Sequence, residues 1–261
     1  MRKAGYNGMI HKKIVVVLDT EPYYGGEHQY AVTLMECLLR MKDVEILSIC
    51  GSRFWRKWCR ENGVRSLDTA WYYFTEREQR RHLRFPIYSR ICCIYAELRK
   101  ERVDAVLMAR QGLFVPNLGI KVIAPVHDLM HRYEGRFPEV SRDYDAREQV
   151  FSSQARYAWC ILTDSKTGKR QFAESYAQYM RRGLPHIASL PFIVPKYITE
   201  NKEEAIAVPS KYIFYPAQFW QHKNHLNLLR AIGMLVDEIT DIHLVLAGAE
   251  KNNLKKKFNL F

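Results

Sequence analysis

The chain alternates short apolar runs with longer stretches in which apolar residues recur periodically. Lys13–Leu18, Val44–Ile49, Val103–Met108, Val122–Val126 and Trp159–Thr163 are mostly apolar and bounded by polar residues. Such runs read as strands buried on both faces of a parallel sheet. A shorter run, Ile187–Leu190, closes at Pro191. After the first run, Tyr30, Leu34, Leu38 and Met41 fall at near-helical spacing, with Ala31 and Met35 beside them. Ala146–Ala158 and Lys166–Met180 read as further helices, and Asp19–Gly26, Gln111–Gly119 and Tyr133–Asp145 as loops. Strands alternating with helices predict an α/β fold.

A second unit follows. Phe192–Ser210 holds Pro195, Pro209 and the charged run Glu200–Glu204, which marks a linker. Beyond it, Tyr212–Tyr215 reads as a strand, Asn224–Val236 as a helix and Ile242–Leu246 as a strand ending at Ala247-Gly248. That is one βαβ unit. The expected domains are residues 1–200, a linker at 201–210, and a partial second domain at 211–261.

In open α/β sheets, ligands gather at the carboxyl ends of the strands. The polar residues just past two of these runs are therefore candidates. His127 and Asp128 end one strand; Asp164 and Ser165 end another, where Ser165 can also cap the next helix. Gly25-Gly26 lies between strand and helix, and two readings stay open. The pair lets backbone N–H groups approach an anion, or it simply makes a tight turn. Lys223 opens the helix of the second unit. A cation there opposes the helix dipole unless an anion shares the site. His127 to His131 echoes the H-E-x-x-H zinc motif, but the first His ends a strand and Asp128 is shorter than Glu. Asp143-Tyr144-Asp145 has a D-x-D form that helix capping explains better. No metal is expected.

HDLMHRY…FP…R…ILTDSKTGKRQF, with Gly25-Gly26 upstream and YIFYPAQFWQHKNHLNLLRAI downstream, resembles retaining glycosyltransferases of family 4. These have the GT-B fold, built of two Rossmann-like domains. The resemblance touches most of Lys13 to Gly248. It implies transfer of a sugar from a nucleotide-sugar donor, such as a UDP- or GDP-sugar, to a hydroxyl with retention, by a hexosyl- or mannosyltransferase-like enzyme. No other cofactor is implied. The acceptor would be a glycan or a lipid-linked molecule, in polysaccharide biosynthesis. His127 would hold the donor sugar at the reaction centre. Gly25, Gly26, Lys223, Asn224 and Gly248 would contact the donor, with Asp128, Arg147, Ser165 and Gln218 around the cleft. Gln218 stands where the family has a second basic residue. The pattern also places a Glu-x7-Glu motif and a helix crossing back to the first domain beyond Phe261. On that pattern the chain is an incomplete transferase, with residues 1–200 compact, 211–261 less well packed, and little or no turnover.

Charge adds a question about partners. The 261 residues carry a formal net charge of +12 and a pI near 9.4, which suits nucleic acid, an anionic membrane or a phosphorylated substrate. Arg53–Arg102 interleaves Phe54, Trp55, Trp58, Trp71, Tyr72, Tyr73 and Phe74 with Arg53, Arg56, Lys57, Arg60, Arg77, Arg80, Arg81 and Arg84. That pattern fits an interfacial membrane surface, single-stranded nucleic acid, or a solvated face over an aromatic core. The resemblance favours the membrane over nucleic acid. The rival class is a non-catalytic basic and aromatic binding module for nucleic acid or anionic membrane. No apolar run reaches the ~20 residues that span a bilayer, and no apolar core precedes Ile14. A cytoplasmic protein, peripheral on the inner membrane face, is expected. Cys37, Cys50 and Cys160 sit in apolar contexts and read as buried free thiols.

Overall fold

The computed structural model describes residues 12–67, 93–112, 119–181, 183, 185–200 and 207–248. They divide into two compact units. The first joins residues up to Leu129 with Asp145–Thr199; the second joins Met130–Tyr144 with the chain from Glu200.

The first unit is built on a seven-stranded parallel sheet. Its strands are β1 (Lys12–Leu18), β2 (Val44–Cys50), β3 (Arg65–Ser66), β4 (Ala105–Met108), β5 (Lys121–Val126), β6 (Cys160–Thr163) and β7 (His186–Ser189), in the order β3-β2-β1-β4-β5-β6-β7. Successive side chains of a strand point to opposite faces, and both faces are covered. Val15 and Val17 join one apolar cluster, with Val106, Met108, Phe151, Phe172 and Tyr176. Val16 and Leu18 join the other, with Ala31, Met35, Leu38 and Trp55. These four β1 residues are fully buried. That is why the run has no polar alternation.

The helices that cover the sheet are α1 (Gly26–Leu38), α2 (Arg53–Glu61), α3 (Cys93–Lys100), α4 (Tyr144–Tyr157) and α5 (Lys166–Tyr176). The α1 stripe is Tyr30, Ala31, Met35 and Leu38. Met41 lies past the helix end and is exposed, and Leu34 is only partly buried. Cys37, expected to be buried, is exposed, whereas Cys50, Cys59 and Cys160 are buried.

The aromatic and basic tract divides. In α2, capped by Ser52, Trp55 is fully buried. Its indole N–H donates to the Thr20 carbonyl at 2.7 Å. Trp55 is core, Phe54 and Trp58 are partly buried against it, and Arg53, Lys57, Arg60 and Glu61 form the solvated face. Trp71 to Phe74 and Arg77 to Arg84 lie outside the described residues. Among the described residues, no helix is long and apolar enough to cross a membrane.

The second unit contains β8 (Tyr212–Pro216), a 3-10 turn (Gln221–Lys223), α6 (His225–Leu235) and β9 (His243–Ala247). β8 and β9 pair in parallel, Tyr212 opposite His243 and Pro216 opposite Ala247. The stretch read as a loop, Tyr133–Asp145, holds a single-turn helix, Pro138–Ser141, and follows another, Met130–Tyr133. Both belong to this unit. Glu139 accepts hydrogen bonds from the His222 backbone N–H and ring, each at 3.0 Å. Burial alone would raise the Glu139 pKa, but these bonds hold it below the usual carboxylate value. No residue of β8 or β9 is buried, in contrast with the central strands of the first unit.

Candidate functional site

The strand order reverses direction between β1 and β4. Chains leaving neighbouring strands there diverge to opposite faces and open a crevice at the carboxyl edge. Four strands deliver polar residues to that edge. β1 delivers Asp19, β4 delivers Arg110 and Gln111, β5 delivers His127 and Asp128, and β6 delivers Asp164.

These residues form two linked groups. Arg110 Nε donates to Asp19 Oδ2 at 2.7 Å. Burial pushes the Asp19 carboxyl above its ordinary pKa, and Arg110 only partly offsets this. Gln111 ties the second group together. Its Oε1 accepts from the backbone N–H groups of His127 and Asp128, at 2.9 and 3.2 Å, and its Nε2 donates to Asp128 Oδ2 at 2.8 Å. Arg147, from α4, donates to Asp128 Oδ1 at 2.5 Å and to the Asp128 carbonyl at 3.1 Å. Both arginines are thus committed to carboxylates.

His127 is held on three sides. Its Nδ1 lies 2.9 and 3.1 Å from the two oxygens of Asp164. An ionised carboxylate only accepts, so Nδ1 carries the proton and donates. In the neutral ring, Nε2 then presents a lone pair. That Nε2 is buried with no hydrogen-bond partner among the described residues. The Tyr30 ring packs edge-on against the imidazole at 4.6 Å between centroids, and Phe192 lies at 5.6 Å.

Gly25 has φ +66°, which only glycine adopts without strain. It both closes the Pro22–Tyr24 turn and starts α1. A side chain at Gly26 would meet nothing within 4 Å. The turn therefore requires the first glycine, while the second leaves the start of α1 open to approach. Glu27, in the first turn, has a carboxyl raised by burial and lowered by the charges of Arg110 and His127. Ser165 is exposed, and its Oγ accepts from the Gly168 N–H at 3.0 Å, capping α5.

In the second unit, Lys223 is exposed on the turn before α6. Its carbonyl accepts from the Tyr215 hydroxyl at 2.8 Å. Asn224 follows in the left-handed conformation, φ +57°. Gln218 Oε1 accepts from the Trp220 indole at 2.8 Å. A Cβ at Gly248 would sit 2.1 Å from the Ala217 carbonyl oxygen, so only glycine lets the β9 end approach the β8 loop. Burial lowers the His225 pKa, and His225 stacks on Phe219 at 4.6 Å.

No family model matches the chain, and no curated protein does. Solved structures are similar to it. The N-terminal domain of Candida albicans trehalose-6-phosphate phosphatase is 13% identical, with a TM-score of 0.54, covering 95% of this chain and 66% of that one. The S. aureus MnaA–UDP co-structure is 14% identical, with a TM-score of 0.49, covering 95% and 64%. UDP-GlcNAc 2-epimerase from Methanocaldococcus jannaschii is 15% identical, with a TM-score of 0.49, covering 95% and 69%. The chain spans about two thirds of the length of these structures. The fold class is the expected one, α/β, with a Rossmann-like parallel sheet followed in the chain by a βαβ unit.

The first unit brings His127, Asp128 and Arg147 together and gives Ser165 to a helix cap. Lys223, Asn224, Gln218 and Gly248 flank the strand ends of the second unit. The reading from sequence passed over the Asp19–Arg110 pair, Gln111, Glu27 and Phe192 as site residues. The first three obey the rule that found His127, being polar residues just past a buried run. Glu27 follows the glycine pair directly, and Phe192 carried no polar signal at all.

Proposed function

We propose that the chain is the acceptor-side domain, with the first βαβ unit of the donor domain, of a nucleotide-sugar-dependent glycosyltransferase of the retaining family 4 kind. Residues 1–200 form the first domain, 201–210 the linker and 211–261 the partial second. The observation that carries this reading is the His127–Asp164 pair at the carboxyl edge of the sheet, just past β5 and β6. A polar, tautomer-fixed ring set among paired carboxylates and aromatic rings suits a polyhydroxylated sugar.

In this reading, Asp164 fixes the imidazole so that Nε2 accepts from a sugar hydroxyl. Gln111 and Arg147 set the backbone and side chain of Asp128 beside it. Gly26 leaves room for the donor near the start of α1. Lys223 neutralises the leaving diphosphate, and Asn224 and Gly248 shape the loop around it. The protein's work is then positioning and charge stabilisation as the glycosidic carbon develops positive character. The acceptor is a glycan or lipid-linked hydroxyl. Any contact with an anionic membrane would use the cationic residues of α2 and the tract after it, since Trp55 is core.

The test is a calorimetric screen of the chain against UDP, GDP and their sugars. Binding of a nucleoside diphosphate is expected. Salt-dependent binding of single-stranded oligonucleotides, with no affinity for nucleoside diphosphates, would refute the proposal and favour a binding module.

A further inference from the structure

The segment after β7 carries five consecutive residues, Pro191-Phe192-Ile193-Val194-Pro195. Phe192, Ile193 and Val194 are more than half exposed, at 55%, 54% and 64%. Among the described residues, their backbone N–H groups make no backbone hydrogen bond, and the Leu190 N–H to the Thr163 carbonyl is the last tie to the sheet. Prolines at both ends supply no donor. A stretch with few hydrogen bonds and much exposure opens at low free-energy cost.

This segment also packs against the site. Phe192 packs against both Tyr30, at 5.4 Å, and His127, at 5.6 Å. Tyr30 belongs to the packed face of α1 and is itself buried. Phe192 is the part of this packing that can leave. Beside it runs a groove of about 290 Å³, lined by Gln29, Thr33 and Leu34 of α1 and by Leu190, Ile193 and Pro195 of the segment. Phe192 lines the same groove, so its ring has apolar space to move into. The buried Nε2 of His127 is the other half of the observation. A buried polar atom without a partner is costly, and a ligand can reach it only if a neighbouring group moves.

We propose that Phe192 is a gate over His127. With the ring in place, Nε2 is closed to ligand; the ring swings into the groove beside α1, and Nε2 meets a hydroxyl. The inference rests on the reading that His127 faces the ligand, and it adds what controls access to it.

The experiment is acylation of histidines by diethyl pyrocarbonate, followed by peptide mass spectrometry of the full chain. The exposed His243 is the reference within each sample. In the wild type, His127 is expected to react more slowly than His243. Phe192→Ala should speed the His127 reaction by about tenfold. Phe192→Tyr, which keeps the ring, should restore the slow rate. His127→Gln identifies the adduct peptide. Equal His127 rates in the wild type and Phe192→Ala, or a wild-type His127 as reactive as His243, would overturn the gate. Nucleoside diphosphate binding, measured on the same samples, separates the two ideas. Its absence defeats the proposed function, whereas the acylation rates decide the gate.

Discussion

Replacing Lys223 with alanine isolates one charge. The backbone at this position is pinned independently of the side chain. Its carbonyl accepts from Tyr215 at 2.8 Å, and its N–H donates to the Trp220 carbonyl at 3.1 Å. The side chain makes no ion pair among the described residues and is exposed. Lys223→Ala should therefore leave stability within about 0.5 kcal/mol of the parent, as for other surface changes. A hydrogen bond from a cation to an anionic ligand contributes roughly 1.5–3 kcal/mol. At about 1.4 kcal/mol per tenfold, that is an affinity loss of roughly tenfold to a hundredfold. The exposed site places the expected effect toward the lower end, and high salt should shrink it. Calorimetry with UDP and GDP, at low and high salt, measures it. Uridine and guanosine, which carry no phosphate, should lose nothing. An unchanged Kd for the diphosphates, or an equal loss for the nucleosides, would show that Lys223 does not meet the diphosphate.

Three further outcomes are expected. His127→Ala should spare nucleoside diphosphate binding and abolish turnover in an enzyme that contains the whole donor domain; loss of folding, seen by circular dichroism, would make His127 structural. Trp55→Phe should destabilise the first unit by about 1–3 kcal/mol, because it strips a buried carbonyl of its donor. The same change should leave sedimentation with anionic vesicles unchanged, and reduced sedimentation would return Trp55 to the surface. Glu27→Gln should stabilise the protein at neutral pH. Burial raises the Glu27 carboxyl above its ordinary 4.5, so the folded state holds the proton longer and loses stability as pH rises through that window. The gain should vanish below pH 4.5, and chemical denaturation at the two pH values checks it.

The central strands of the first unit were legible in the sequence because burial on both faces leaves a purely local mark, an unbroken apolar run, whereas β3, the two residues Arg65–Ser66, leaves none. Lys12–Leu18 and Lys121–Val126 needed no knowledge of their neighbours. The same locality exposed His127 and Asp128, the first polar residues past such a run, and it placed Gly25-Gly26 between strand and helix, with tight turn and anion site both left open. Helix ends and single-turn helices were harder. Pro138–Ser141 is too short to show a periodic stripe, and its Glu139 matters only through His222, far along the chain. Trp55 and Cys37 show the limit from the other side. Identity alone left Trp55 between an interfacial surface and an aromatic core and suggested a buried thiol at Cys37, but the face each residue takes is set by what packs against its helix.

The site itself belongs to the tertiary structure. Asp19 and Arg110 are 91 residues apart and meet because β1 pairs with β4, a register that no local pattern encodes. Asp164 orients His127 because β5 pairs with β6. Phe192 lies in what reads as a linker, and its place against Tyr30 and His127 follows from β7 closing the sheet. Elements of secondary structure and the candidates at their ends follow from hydrophobic burial, which acts residue by residue. Which candidates touch, which charges cancel and which nitrogen is left covered follow from strand order, which is decided only when the whole sheet assembles.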